Sequence, residues 1–170
     1  MARACRAPFS SGSVRGTRFL TIIAAALFCV AASPLDGDFH RLDRGVRSRA
    51  AKPAGPVLLY YGASWCGPCR AFMPELTAAY PRLRRQGVEI IFVADEGCAA
   101  ALDYARTMRM PWLLLPCDPA RTARLRRLGG KALPGLVLLD AQGKVSATSW
   151  HASGTSAPRA TLARILAGRE

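Results

Sequence analysis

From residue 56 onward the chain alternates short, largely apolar runs with segments long enough to be helices, and this alternation does most to restrict its fold. The runs are VLLYY at 57–61, VEIIFVA at 88–94, WLLL at 112–115 and GLVLLD at 135–140. Each is too short to be a buried helix and has Gly or Pro on at least one side, so each reads as a strand buried on both faces. The segments between them supply helices at 66–86, 98–108 and 119–128, and a last helix follows at 156–167. Gly87 closes the first helix where a left-handed residue is wanted, and Pro74 is expected to kink it. Pro111 closes the second; Asp118 is placed to cap the third, which Gly129-Gly130 ends. A turn at Ala141-Gln142-Gly143 joins GLVLLD to KVSATS at 144–149 as a β-hairpin. The order β-α-β-α-β-α-β-β-α predicts an α/β domain over 56–170, three layers deep, with a mixed sheet in the middle. Ligands of such sheets gather at the carboxyl ends of strands, and the first of those ends carries Ser64-Trp65-Cys66.

Trp65-Cys66-Gly67-Pro68-Cys69-Arg70 therefore falls between a strand and a helix. A lone CxxC serves either a zinc ion or redox chemistry. Zinc needs two more ligands at metal spacing, and Cys98 and Cys117 form no second CxxC, so no metal is expected. A Cys–His hydrolase needs a positioned imidazole. His40 falls in a stretch that reads as linker and His151 follows the hairpin, and both are expected on the surface. Redox chemistry suits the placement. At a helix N-terminus, free N–H groups and the dipole stabilise a thiolate at Cys66, the species that attacks disulfides. Cys69 lies one turn further on, within reach of Cys66 and better buried, as a resolving thiol should be. Pro68 sets the first helical turn, Gly67 leaves Cys66 accessible, and Trp65 shields one side of the pair. No organic cofactor motif is present, so the redox group would be the disulfide Cys66–Cys69 alone.

WCGPC at a strand-to-helix junction is the active-site motif of thioredoxins, and the chain resembles that superfamily in further features. Pro74, five residues past Cys69, matches the proline inside the family's first helix. Leu133-Pro134 stands before the hairpin, where the family has its cis-proline. The resemblance implies that Pro134 is cis and lies against the CxxC, and that Leu133 offers main-chain hydrogen bonds to a cysteine-containing partner. An ordinary trans-proline opening a strand is the alternative. The closer resemblance, over 56–149, is to the tryparedoxin and nucleoredoxin branch, in an exported bacterial form. Asp95-Glu96 after the second strand and Met110-Pro111-Trp112-Leu113 before the third look like that branch's inserted helix–strand segment. The membrane-anchored thioredoxins of bacterial cytochrome maturation share this plan. The implied fold is the thioredoxin fold, three-layer α/β/α.

Two departures stand out. The branch carries two prolines between its cysteines, whereas this chain has Gly67-Pro68 as thioredoxin does. Thioredoxin buries an aspartate beneath its second cysteine, and the matching position here is Tyr60, with Asp95 or Glu96 as candidate substitutes for that proton acceptor. The activity implied is thiol–disulfide exchange by Cys66 attack and Cys69 resolution. A Gly-Pro pair belongs to thioredoxin, whose potential is about −270 mV against about −120 mV for strong oxidants. It points to a reductase of protein disulfides supplied by an upstream thiol donor, such as a membrane thiol transporter. Two alternatives stay open: a disulfide oxidase or isomerase, and an exported binding or chaperone module. The module would have no need of Cys66, Cys69 and Pro134 together.

The N-terminus speaks to location. Residues 1–18 are basic and free of acids, 19–32 (FLTIIAAALFCVAA) are an apolar run, and Val30-Ala31-Ala32 offers small side chains to a signal peptidase. Residues 1–32 are read as a secretory signal cleaved after Ala32, with an uncleaved N-terminal anchor as the alternative. The run is shorter than the about 20 residues of a bilayer span. Bulky Phe28 argues against a lipoprotein site at Cys29. The domain is then expected to be exported, periplasmic or secreted, and membrane-anchored by 19–32 if uncleaved, in a compartment that tolerates disulfides. Cys5 and Cys29 would leave with the signal. Cys98 and Cys117 are open between a structural disulfide, free buried thiols and a second redox pair, and no functional role is expected of them. Residues 33–55 mix Pro, Gly, Asp and Arg and read as a linker with basic Arg41, Arg44, Arg47, Arg49 and Lys52. The net charge of +13 comes from scattered arginines without a nucleic-acid motif, so no nucleic-acid partner is expected. Trp112 and Trp150 are expected to pack in the core and at the surface.

Overall fold

The computed structural model describes residues 35–168; the expected signal, with Cys5 and Cys29, lies outside the described residues. The elements run β1 (Phe39–Asp43), β2 (Val46–Ala50), β3 (Val57–Gly62), α1 (Gly67–Arg85), β4 (Glu89–Ala94), α2 (Cys98–Thr107), β5 (Leu113–Leu114), α3 (Pro119–Arg126), β6 (Gly135–Leu139), β7 (Val145–Thr148) and α4 (Pro158–Ala167). A seven-stranded sheet has the order β2-β1-β5-β4-β3-β6-β7. β3, β4 and β5 are parallel neighbours, and the strands at either end join antiparallel, which makes the sheet mixed.

The central strands alternate between two cores. Leu58 and Tyr60 of β3, Ile90 and Phe92 of β4, and Leu136 and Leu138 of β6 face the side covered by α1, α2 and α4. Their neighbours Val57, Leu59, Tyr61, Ile91, Val93, Val137 and Leu139 face the side covered by α3 and by the segment starting at Leu35. Both faces are dry, so both sets are apolar and no polar alternation marks these strands. Each fully buried side chain of this size contributes on the order of 1.5–3 kcal/mol.

Helix α1 starts at Cys66 as N-cap and is closed by Gly87 at φ +76°. Pro74 and Pro81 both lie inside it, on exposed positions. The carbonyls that lose a donor there belong to Arg70 and Thr77, which are themselves exposed, so water can serve them. Asp118 caps α3 as expected, its side chain accepting from Arg121 N at 2.9 Å.

Two expectations are corrected. The stretch 33–55, read as a linker, carries the hairpin β1–β2, and β1 pairs with β5 through His40↔Leu114 and Arg41↔Leu113. Its pattern misled because β2 is exposed except at Ala50, and β1 buries only Phe39 fully. Arginines read as solvated are partly what holds it. Arg41 donates to Glu89 at 2.8 Å and to Tyr80 Oη at 3.1 Å. From α3, buried Arg121 donates to the carbonyls of Asp38 (2.6 Å) and Leu35 (3.2 Å), its guanidinium 4.2 Å from the Phe39 ring centre. His40, expected on the surface, is half-buried in β1.

Candidate active site

β3 ends at Gly62, and the chain turns through Ala63-Ser64-Trp65 into α1, with Cys66 N donating to Ala63 O at 3.2 Å. Extended backbone at Cys66 (φ −82°, ψ 101°) makes it the N-cap, and its Sγ accepts from Cys69 N at 3.1 Å. An N-cap sulfur that takes a first-turn N–H sits where negative charge is favoured. Cys66 and Cys69 are joined as a disulfide with Cα atoms 5.2 Å apart. Cys69 is fully buried, while Cys66 keeps 4% of its surface exposed. Gly67 and Pro68 are exposed, and nothing lies within 4 Å of where a Cβ on Gly67 would stand. Trp65 projects into solvent at 64% exposure.

The Leu133–Pro134 peptide is cis, and Leu133 packs on the small cluster of Ala63, Cys66 and Cys69. The fold thus brings together residues 67 positions apart in sequence. The expected acids lie beside the motif in different roles. Glu96 accepts from both the N–H (2.9 Å) and the hydroxyl of Ser64, two residues before Cys66. Asp95 is ion-paired with Arg126 of α3, and its N–H donates to Gly62 O at 2.9 Å. Tyr60 is wholly buried with its hydroxyl against Gly62, where a built Cβ would meet it at 2.8 Å. Burial pushes the Tyr60 phenol far up, so it stays neutral.

Sequence reasoning missed the scaffold around this pair. Arg70 donates to Ser64 O at 2.6 Å, which with Glu96 holds the turn from both sides. Trp150 is half-buried against Gly129, Gly130 and Gly135, its Nε1 donating to Ala132 O at 2.8 Å. Ser149 Oγ accepts from Leu136 N at 2.8 Å, and Ser156 Oγ donates to Pro134 O at 2.8 Å. Gly129-Gly130 is the available signal: two glycines mark a close approach as well as a helix end. Among the described residues no cluster of three or more His, Cys, Asp or Glu is placed to hold a metal.

A family model described as Thioredoxin-like matches residues 55–145, more than half of the chain. This chain belongs to the thioredoxin-like family. Within it the chain is 42% identical over 91 residues to probable nucleoredoxin 1 of Arabidopsis thaliana, covering 51% of this chain and 15% of that protein. It is 36% identical over 117 residues to nucleoredoxin of Danio rerio, covering 66% of this chain and 28% of that one. The chain therefore spans less than a third of the length of either relative. Tryparedoxin II from C. fasciculata superposes with a TM-score of 0.59 at 29% identity, covering 69% of this chain and 83% of that structure. The tryparedoxin and nucleoredoxin branch expected from the motifs is the one these likenesses indicate. The fold is the thioredoxin fold, with α2 and β5 as its inserted helix and strand. The family's chemistry is thiol–disulfide oxidoreduction.

Proposed function

We propose that the domain reduces disulfides of protein substrates, with Cys66 as nucleophile and Cys69 as resolving thiol. One observation carries this reading: Cys66 Sγ caps α1 and takes the Cys69 N–H, Cys69 is sealed behind it, and Leu133, which precedes cis-Pro134, packs on the cluster that holds them. In the dithiol form, the Cys66 thiolate attacks one sulfur of a substrate disulfide. That bond breaks, the departing substrate sulfur takes a proton, and Cys66 is left in a mixed disulfide. Cys69, having lost its proton, attacks Cys66 Sγ and displaces the second substrate thiolate. Two electrons have passed to the substrate, and the protein holds the Cys66–Cys69 disulfide. Return to the dithiol requires two electrons from an upstream thiol donor.

Exposed Trp65, Gly67 and Pro68 together with Leu133 form the face a substrate would meet, and the Leu133 backbone is offered as its hydrogen-bond partner. Glu96 acts as a positioning residue for the Ser64 turn. Residues 1–32 support placing this chemistry in an exported compartment, periplasmic or secreted, with a membrane-bound donor.

The test is disulfide turnover with insulin together with the potential of the pair. C66S should abolish turnover, and C69S should accumulate a substrate–Cys66 mixed disulfide. A midpoint near about −270 mV supports the reductase, and one above about −180 mV makes the domain an oxidase or isomerase. If the pair shows no reversible couple and partner binding is unchanged in C66S, a binding module replaces the exchanger.

A further inference from the structure

Cys98 and Cys117 are paired in the structure, with Cα atoms 5.6 Å apart, inside the span a disulfide requires. Both residues are exposed, unlike Cys66 and Cys69. A buried bridge is screened from thiols, whereas an exposed one is open to exchange. Cys98 is also the first residue of α2. Gly97 caps that helix without any side-chain hydrogen bond, and the first turn holds no acid. A thiolate at Cys98 would supply the negative charge this end lacks.

The segments that the bridge joins have other anchors in the fold. α2 is anchored by Tyr104 and Ala105, in its second half, and β5 is held in the sheet between β1 and β4. Neither Cys98 nor Cys117 belongs to either core. Behind it lies a cavity of about 70 Å³ whose wall includes Cys98, Cys117, His40, Arg47, Glu96 and Leu102. His40 Nδ1 is buried without a hydrogen-bond partner, an unsatisfied polar atom of the kind that a folded protein rarely keeps.

We propose that Cys98–Cys117 is a second thiol–disulfide exchange site, one that takes a low-molecular-weight thiol of negative charge. The cavity receives the sulfur end, and exposed Arg47 at its wall favours the anion. A small thiolate attacks Cys117 Sγ, the Cys98–Cys117 bond breaks, and Cys98 leaves as the thiolate at the start of α2. A second small thiolate attacks the small-molecule sulfur of the mixed disulfide and displaces Cys117. Two small thiols become one small disulfide, and the protein gains two electrons and two protons as a dithiol.

This site does not rest on Cys66 being catalytic, and the test is run without that pair. The full chain carrying C5S/C29S/C66S/C69S is equilibrated in graded reduced and oxidised glutathione, alkylated, and weighed, with near-UV circular dichroism reporting the fold. One reversible two-electron step is expected at glutathione concentrations that leave the fold intact. Glutathione should also reduce the bridge several-fold faster than cationic cysteamine at equal thiolate, and R47E should remove that preference. The proposal is overturned if the bridge stays oxidised in fully reduced glutathione, if its reduction coincides with loss of the fold, or if the two thiols react equally fast. Differential alkylation of the wild-type chain, read on the peptides holding Cys98 and Cys117, decides the same question should the variant fail to fold.

Discussion

Gly135 follows cis-Pro134 and passes beneath the indole of Trp150, so the loop's position against Cys66–Cys69 should depend on that glycine having no side chain. A Cβ on Gly135 would lie 1.9 Å from Cζ2, 2.2 Å from Cη2 and 2.8 Å from Cε2 of Trp150. Carbon atoms pack at about 3.5–4.0 Å, so the ring would have to retreat by about 1.5 Å or more. Little lets it do so. Its Nε1 is bonded to Ala132 O at 2.8 Å, Tyr61 stacks edge-on at 5.0 Å, and built Cβ atoms on Gly129 and Gly130 would meet it at 2.8 and 2.4 Å. Overpacking costs about 1–3 kcal/mol, and with this overlap Gly135→Ala belongs at about 3. Trp150→Ala alone removes a half-buried ring and should cost about 2–3 kcal/mol, below the 3–5 of a full core deletion. In the double variant the new methyl enters space the ring has left. The two losses should then fall short of their sum by about 2 kcal/mol. Urea unfolding of the oxidised protein measures this as midpoints at constant m, and insulin reduction should slow in Gly135→Ala as the Leu133–Pro134 segment shifts. A Gly135→Ala protein within about 0.5 kcal/mol of the parent, or strictly additive losses, would refute the packing account.

Three further outcomes follow from the geometry. Glu96→Ala leaves the N–H and hydroxyl of Ser64 without their acceptor; kcat/KM for insulin should fall about tenfold, the size of one charge-assisted hydrogen bond, with Glu96→Gln recovering part of it, and an unchanged rate sinks the positioning role. Glu89 is buried and accepts from Tyr80 (2.6 Å), Arg41 (2.8 Å) and Arg84 (2.7 Å). Because the Arg41 and Arg84 side chains keep 35% and 51% exposure, Glu89→Ala should cost about 2 kcal/mol, below the 3–5 of a sealed pair, and hydrogen exchange should show 39–50 losing protection first. Equal protection there would count against Glu89 as the hairpin's anchor. All four tyrosines, Tyr60, Tyr61, Tyr80 and Tyr104, are held neutral by burial, with pKa values raised above 10.0. The unfolded chain gives up these protons first, so the stability they contribute is whole below pH 10 and drains away as pH climbs past it. Phenolate absorbance should therefore appear together with unfolding, and phenolate forming near pH 10 in a folded protein would contradict it.

How much of the site was readable depends on how far apart its parts lie in the chain. Cys66, Cys69, Gly67 and Pro68 are contiguous, and helix geometry alone puts the two sulfurs within one turn. Pro134 was readable only through the likeness to thioredoxins, since an isolated X–Pro bond favours trans. Glu96 was noticed as an acid near the motif, yet its partner turned out to be Ser64, because that choice depends on how β4 and β3 align. Trp150 gave no signal beyond its size, for its role exists only where three glycines converge on it.

By itself, the sequence determined the parallel core and the reactive pair. Strands buried on both faces must be largely apolar, and a CxxC at a strand-to-helix junction must open a helix, so both leave marks in neighbouring residues. Tertiary structure alone decided that 39–50 joins the sheet, since its hold comes from Glu89 and Arg121, 48 and more positions away. It decided equally that Cys98 meets Cys117, at the start of α2 and the end of the loop after β5. Local pattern records which face of an element is dry. Which distant groups meet is set only when the sheet's order brings the ends of its strands together.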